Sequence, residues 1–122
     1  MKIINLGEKN SLLNRYIAEI RDVVIQKDSM RFRRNLERIG EIFAYEISKT
    51  LTYSPKEVET PLGIANCNLS NDKIVLSTIL RAGLPLHQGL LNYFDKAENS
   101  FIAAYRKYGK DNKFSIQLEY AS

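Results

Sequence analysis

The sequence predicts an α/β fold. Two short runs, residues 73–80 and 100–106, are largely apolar and rich in strand-forming residues, as buried strands of a parallel sheet are. Between them, Leu84, Leu86, Leu90, Leu91 and Phe94 recur at helical spacing. Upstream, Phe32, Leu36, Ile39, Phe43 and Ile47 fall four, three, four and four residues apart, which puts them on one face of a long helix.

Taken in order, Ile3, Ile4 and Leu6 read as a short opening strand or arm. Ser11 precedes Leu12, Leu13, Tyr16, Ile17, Ile20, Val23 and Val24, an amphipathic helix capped by Asn10 or Ser11. Asp28 caps the long helix, which ends near Leu51. Pro55, Pro61 and Gly63 punctuate two strand-like pieces, Lys56–Thr60 and Leu62–Leu69. These make a β-hairpin that turns at Pro61-Leu62-Gly63. Asn71-Asp72 turns the chain into the first buried strand, and Pro85 is tolerated in the first turn of the helix that follows. Near the end, Phe114, Ile116, Leu118 and Tyr120 alternate with Ser115, Gln117 and Glu119, the pattern of a half-exposed strand. The strand-helix-strand stretch implies a parallel pair with a right-handed crossover. A sheet that stops two residues after Tyr120 is expected to leave an unpaired edge or an uncovered face.

A length of 122 residues fits one compact domain or part of a larger one. With 44% hydrophobic and 26% charged residues, the composition is that of a soluble globular protein rather than a disordered one. The net charge of +4 suits a polyanionic small molecule, and no dense Lys/Arg tract marks a nucleic-acid partner. Cys67 is the sole cysteine, so no internal disulfide forms. The N-terminus is too short in apolar length for a signal peptide, and no window approaches the roughly 18 apolar residues of a membrane span. A reducing cytosol is the expected compartment.

The junction Ile79-Leu80-Arg81-Ala82-Gly83-Leu84-Pro85 carries the strongest chemical signal. A strand ends in a tight loop that opens a helix. Such a loop can aim backbone N–H groups, a helix N-terminus and a guanidinium at one anion. Taken alone, Arg81 would as readily pair with a surface carboxylate, and Ala82-Gly83 would serve as a plain strand-to-helix turn.

An ordered set of pieces surrounds that loop. Ile20-Arg21-Asp22, Arg31-Phe32-Arg33, Tyr45-Glu46 and Thr60-Pro61-Leu62-Gly63 precede Thr78–Leu84; Gly89 and Ala104-Tyr105-Arg106 follow it. With these pieces the chain resembles uracil phosphoribosyltransferase along its whole length. The resemblance implies a type I phosphoribosyltransferase fold, a parallel sheet whose loops at the strand C-termini hold the ligand. Residues 1–122 would then form the N-terminal part of a single domain: a helical arm (1–52), a β-hairpin (53–70) and the start of the α/β core (71–122). The implied activity transfers a 5-phosphoribosyl group from phosphoribosyl pyrophosphate (PRPP) to N1 of uracil, giving UMP and diphosphate in pyrimidine salvage. The resemblance also implies Mg²⁺ arriving on the substrate diphosphate and a homodimer or larger assembly. It implies a GTP effector in some members, and no nucleic-acid or membrane partner.

By the same resemblance, Arg81, Ala82 and Gly83 match the loop that holds the diphosphate of PRPP. The leaving diphosphate gains negative charge as the glycosidic bond breaks; a fixed guanidinium meets two oxygens at once, and backbone N–H groups need no reorganisation. Gly83 lets the backbone approach closely. The family's loop often holds a non-proline cis peptide, and the sequence does not say whether Arg81–Ala82 is one. Arg106 matches a second diphosphate-contacting arginine at the end of the next strand. Lys107 and Lys110, on the loop beyond it, add positive field. No residue is assigned to catalysis and none to direct metal binding.

The family's Asp-Pro…Ala-Thr-Gly phosphate loop and its Gly-Asp-rich uracil-reading segment have no match in these residues. Gly7, Gly40, Gly63, Gly83, Gly89 and Gly109 all stand isolated. The chain by itself is therefore expected to be truncated and inactive, because catalysis needs both reactants positioned together.

A rival reading is a phosphoribosyltransferase-fold regulator that senses nucleotides and binds RNA or a protein partner. It would use Arg31, Arg34 and Arg38, which share a helical face. Glu37 and Glu41, three residues beyond Arg34 and Arg38, favour ion pairs on a solvated face or a subunit contact instead. A third reading is a dimerising module built from the two helices and the hairpin. Phe32, Phe43 and Tyr45 read as packing residues. His87 has no place in the family's chemistry, and Cys67, without a histidine partner, reads as an inert thiol.

Overall fold

The computed structural model describes residues 1–109 and 113–122. Among them lie three α-helices, α1 (Leu13–Arg21), α2 (Ser29–Ser48) and α3 (Leu84–Leu91). The strands are β1 (Tyr53–Thr60), β2 (Gly63–Ser70), β3 (Val75–Leu80), β4 (Glu98–Tyr108) and β5 (Phe114–Ala121). The α/β class stands.

Asp28 starts the longest element as expected: its carboxylate accepts a hydrogen bond from the Arg31 amide at 3.0 Å. At the start of α1, the Ser11 hydroxyl accepts from the Leu13 amide at 3.2 Å. The opening strand does not form. Ile3 and Ile4 find no strand to pair with, and the Asn5 side chain accepts from the Gly7 amide, turning Leu6–Glu8 into a single 3-10 turn.

The hairpin forms where the Pro and Gly residues place it. Thr60 faces Gly63, so Pro61 and Leu62 alone make the turn. Gly63 sits at φ 128°, in a region that a side chain would strain. The first strand begins at Tyr53, earlier than expected, and takes in Pro55. That proline lies on a two-stranded ribbon, whose outward edges need no N–H from it.

β3 and β4 run parallel with α3 as their crossover, and β5 returns antiparallel to β4. The sheet is thus mixed, in the order β3-β4-β5. The parallel register puts Leu76, Thr78 and Leu80 on one face with Asn99, Phe101 and Ala103. That face meets α3, whose His87 ring lies 5.4 Å from the Phe101 ring. α2 packs across the far side of α3, and α1 packs on α2. The other face of the sheet is uncovered: Val75 and Ile79 are each 59% exposed and Ile116 is 72% exposed. Both the free edge and the bare face expected from the sequence are present among the described residues.

Two glycines fix how closely α2 and α3 approach. A Cβ on Gly89 would fall inside the Glu37 backbone carbonyl, and one on Gly40 would overlap the Leu86 carbonyl. The helices therefore touch backbone to backbone, which holds α3, and the loop before it, in a fixed place on the sheet.

Candidate functional site

The loop between β3 and α3 is built from three residues, Arg81, Ala82 and Gly83. β3 ends at Leu80, the peptide bond Leu80–Arg81 is cis, and the Gly83 amide donates to the Ile79 carbonyl at 3.1 Å. The Leu84 amide donates back to the Arg81 carbonyl at 3.2 Å. The cis bond thus precedes Arg81, on the strand side of the loop.

This wiring changes what each residue can offer. The Gly83 amide is consumed inside the turn. The amides of Arg81 and Ala82 make no backbone hydrogen bond among the described residues, and both residues are exposed. Gly83 adopts ordinary helical angles, φ −73° and ψ −13°. Its missing Cβ is required because Thr78 Oγ1 and the Ile79 carbonyl occupy that space. The glycine is needed to fold the loop tightly onto its own strand.

An open groove of about 780 Å³ lies over this loop, at the C-terminal end of β3 and the middle of β4. It is lined by Leu80, Arg81, Ala82, Ala103, Ala104, Tyr105 and Glu119. Leu80 and Ala103 are register partners, so the parallel pairing itself sets the groove's floor. Tyr105 is held by its hydroxyl, which donates to Gln117 Oε1 at 2.8 Å. Arg81 and Ala82, whose amides are not used by the backbone, border a floor that includes two alanines, a lining with a cation and spare donors that suits a small anion.

Arg106 is not brought into this groove. It lies three residues beyond Ala103 on β4, about 10 Å along the strand and on the opposite face. It sits opposite Ile116, and its guanidinium lies 5.1 Å from the Phe114 ring centroid. Lys107 is exposed on the same ribbon, opposite Ser115. Lys110 falls outside the described residues.

The arginines of α2 are engaged within the chain. Arg34 pairs with Glu37 at 2.8 Å, as the spacing suggested. Arg31 instead reaches Glu19 on α1 at 3.5 Å and Asp28 at 3.8 Å. Arg38 donates to Asn35 Oδ1 at 2.9 Å and lies over the Tyr16 ring. Arg31 and Arg38 thus tie α2 to α1 while Arg34 is paired within α2, which speaks against the regulator reading.

His87 is a core residue. It is 7% exposed, and its Nε2 lies 2.8 Å from Asn99 Oδ1. Cys67 is half-buried on β2, opposite Lys56. Among the described residues, no three His, Cys, Asp or Glu side chains gather in a way that could hold a metal ion, and no helix is long and apolar enough to cross a membrane.

Sequence reasoning missed Glu119 and Tyr105 as groove residues. Glu119 stands at a polar position of an apparently unbroken alternation, and nothing in that pattern marks it as special.

Comparison with known proteins points in one direction. The family model described as uracil phosphoribosyltransferase matches residues 8–118. The chain is 58% identical over 120 residues to a uracil phosphoribosyltransferase of Porphyromonas gingivalis, a match covering 98% of this chain and 56% of that protein. It is 36% identical over 115 residues to the one from Thermococcus gammatolerans, covering 93% of this chain and 50% of that protein. Among solved structures it resembles the AQ2163 protein from Aquifex aeolicus, with a TM-score of 0.71 and 27% identity. That match covers 93% of this chain and 52% of the other. The chain spans about half the length of the curated relatives it matches.

Proposed function

The chain belongs to the uracil phosphoribosyltransferase family, and we propose that it carries the diphosphate-binding arm of such an enzyme. The reaction converts uracil and PRPP to UMP and diphosphate in pyrimidine salvage. The observation that supports this best is the Leu80–Gly83 turn, which leaves the guanidinium of Arg81 and the amides of Arg81 and Ala82 facing one groove.

In that reaction the bond from C1 of the ribose to the diphosphate oxygen breaks, and its electron pair leaves with the oxygen. N1 of uracil forms the new bond to C1 and gives up its proton. Negative charge grows on the departing diphosphate, so donors already fixed in place lower the barrier most. Arg81 and the two amides are such donors. Gly83 acts one step back, by letting the loop fold tightly enough to aim them. Arg106 is the second arm in this reading. Its support is the family resemblance and an exposed side chain held only by stacking on Phe114; joining Arg81 would also take a movement of β4 or β5. Magnesium would neutralise further charge on the diphosphate; the single carboxylate in the groove fits an ion arriving on the substrate better than a resident one.

We assign residues 1–122 to part of one phosphoribosyltransferase domain, with 1–52 as helical arm, 53–70 as hairpin and 71–122 as the start of its α/β core. The bare apolar face of the sheet and the family resemblance support a dimer or larger assembly, which sedimentation equilibrium measures directly. The lone cysteine and the phosphorylated substrate support a cytoplasmic setting. The 122 residues alone hold one side of the site, so they are expected to bind PRPP without turning it over.

Calorimetry tests the assignment. Losing one charge-assisted contact is worth about 1.5–3 kcal/mol, so Arg81→Ala is expected to raise the Kd for magnesium PRPP by roughly tenfold or more. Arg106→Ala is expected to raise it by less, because that side chain must first leave its stacking partner. An unchanged affinity in Arg81→Ala would contradict the reading.

A further inference from the structure

Glu119 is the other charged group of the groove, and the diphosphate reading does not yet use it. Strand β5 follows β4 in regular register from Tyr108 opposite Phe114 to Ala104 opposite Leu118. The register then slips: Tyr120, not Glu119, faces Ala103. One extra residue on β5 is a β-bulge, a device that re-aims a side chain and recurs at sheet rims beside active sites. Here it leaves Glu119 without a cross-strand partner, and its side chain joins Leu80, Arg81, Ala82 and Ala103 in lining the groove. Neither Arg81 nor Glu119 makes an ion pair within 4.0 Å among the described residues.

A carboxylate on the wall of an anion site has a definite consequence. It repels a bare diphosphate and attracts a cation that the diphosphate carries. Arg81 gives the groove its affinity for the anion; Glu119 decides in which form the anion is accepted. The Ala103–Ala104 floor adds no charge of its own, so these two side chains set the balance between them.

We propose that Glu119 makes diphosphate binding in this groove depend on the divalent cation accompanying the anion, by facing the metal side of the bound pair. This rests on the diphosphate reading of the Arg81 loop and adds a selectivity to it.

The probe is inorganic diphosphate, titrated calorimetrically into the chain either as its preformed magnesium complex or in the presence of a chelator. Wild type is expected to prefer the magnesium form by about tenfold, the scale of one partly screened charge interaction. Glu119→Gln is expected to bring that preference close to one, chiefly by gaining affinity for the bare anion. A merely structural role for Glu119 would not produce such a gain. Glu119→Ala repeats the test without the amide's hydrogen-bonding capacity and is expected to agree. Arg81→Ala separates the two claims: it should weaken both forms and leave their ratio in place. An undiminished magnesium preference in both Glu119 variants would overturn the proposal while leaving the Arg81 reading standing. Failure of wild type to bind either form would remove that reading and this proposal with it.

Discussion

Asn35 is wholly buried and joins the first two helices through polar contacts. Its amide donates to Glu19 Oε2 at 2.7 Å, and its carbonyl oxygen accepts from Arg38 at 2.9 Å. Replacing it with alanine removes two hydrogen bonds to charged partners, each worth roughly 1.5–3 kcal/mol at most. Asn35→Ala is therefore expected to lower the urea midpoint clearly, where an apolar contact of similar size would cost less. The same bond shapes the response to pH. The Asn35 hydrogen bond, then that of Arg15, holds the Glu19 carboxyl below its ordinary range. Glu37 is lowered in the same direction, first by Arg34 and then by Asn92. A carboxyl with a depressed folded-state pKa lends stability that is present above its unfolded pKa and lost as pH falls through the folded one. Stability is thus expected to fall below the ordinary carboxylate range, and Glu19→Gln should flatten that part of the curve in urea titrations at stepped pH. An identical acid limb in the variant would contradict this. In the sequence, Asn35 lies four residues before Ile39 on the packed side of the helix, so a polar residue there was visible. Its partner on α1 was not, because partnership across two helices depends on how they cross.

At the level of elements, the glycine pair decides how α3 sits. On an ordinary helix, Gly89→Ala would gain up to about 1 kcal/mol. Here the added methyl meets the Glu37 backbone, and overpacking costs about 1–3 kcal/mol even where side chains can yield. The net is expected to be a loss, seen as a lower urea midpoint at unchanged slope. A raised midpoint would mean the helices are not in backbone contact. A glycine inside a helical pattern is a sequence signal of close approach, yet Gly40 and Gly89 could not be paired from spacing alone. The hairpin shows the opposite case. Its turn was legible in Pro61-Leu62-Gly63, whereas its isolation was not. Among the described residues, no other helix or strand packs against β1 or β2. Its anchorage is at the base, where the Thr52 amide donates to Asp72 at 2.7 Å, Tyr53 donates to the Ser48 carbonyl, and Lys56 meets Asn71. A two-stranded ribbon is marginal alone, so its amides are expected to exchange with solvent faster than those of α2. Equal protection of both would show that the ribbon is covered in solution.

The whole molecule is one side of an α/β architecture. Helices cover one face of the sheet, and the other presents Val75, Ile79, Ile116 and Leu118 to solvent. The order of elements after the opening segment, the parallel pair and the strand-loop-helix junction were readable from β-branched runs, helical spacing and Arg81-Ala82-Gly83. The β5 bulge was not, because Phe114 to Tyr120 alternates without a break; the slip exists only against β4. Nor did the strand pattern reveal that Arg106 lies outside the groove, since that depends on the pairing that places Ala103 beside Leu80. The loop therefore keeps its anion-binding reading, with Arg81 and Ala82 as its donors and Glu119 as its counterweight. Amide chemical shifts of the labelled chain, followed as magnesium diphosphate is added, test this most directly. The expected changes gather at Arg81, Ala82 and the residues lining the groove around them. Shifts confined to Arg31, Arg34 and Arg38 on α2, or none at all, would contradict it.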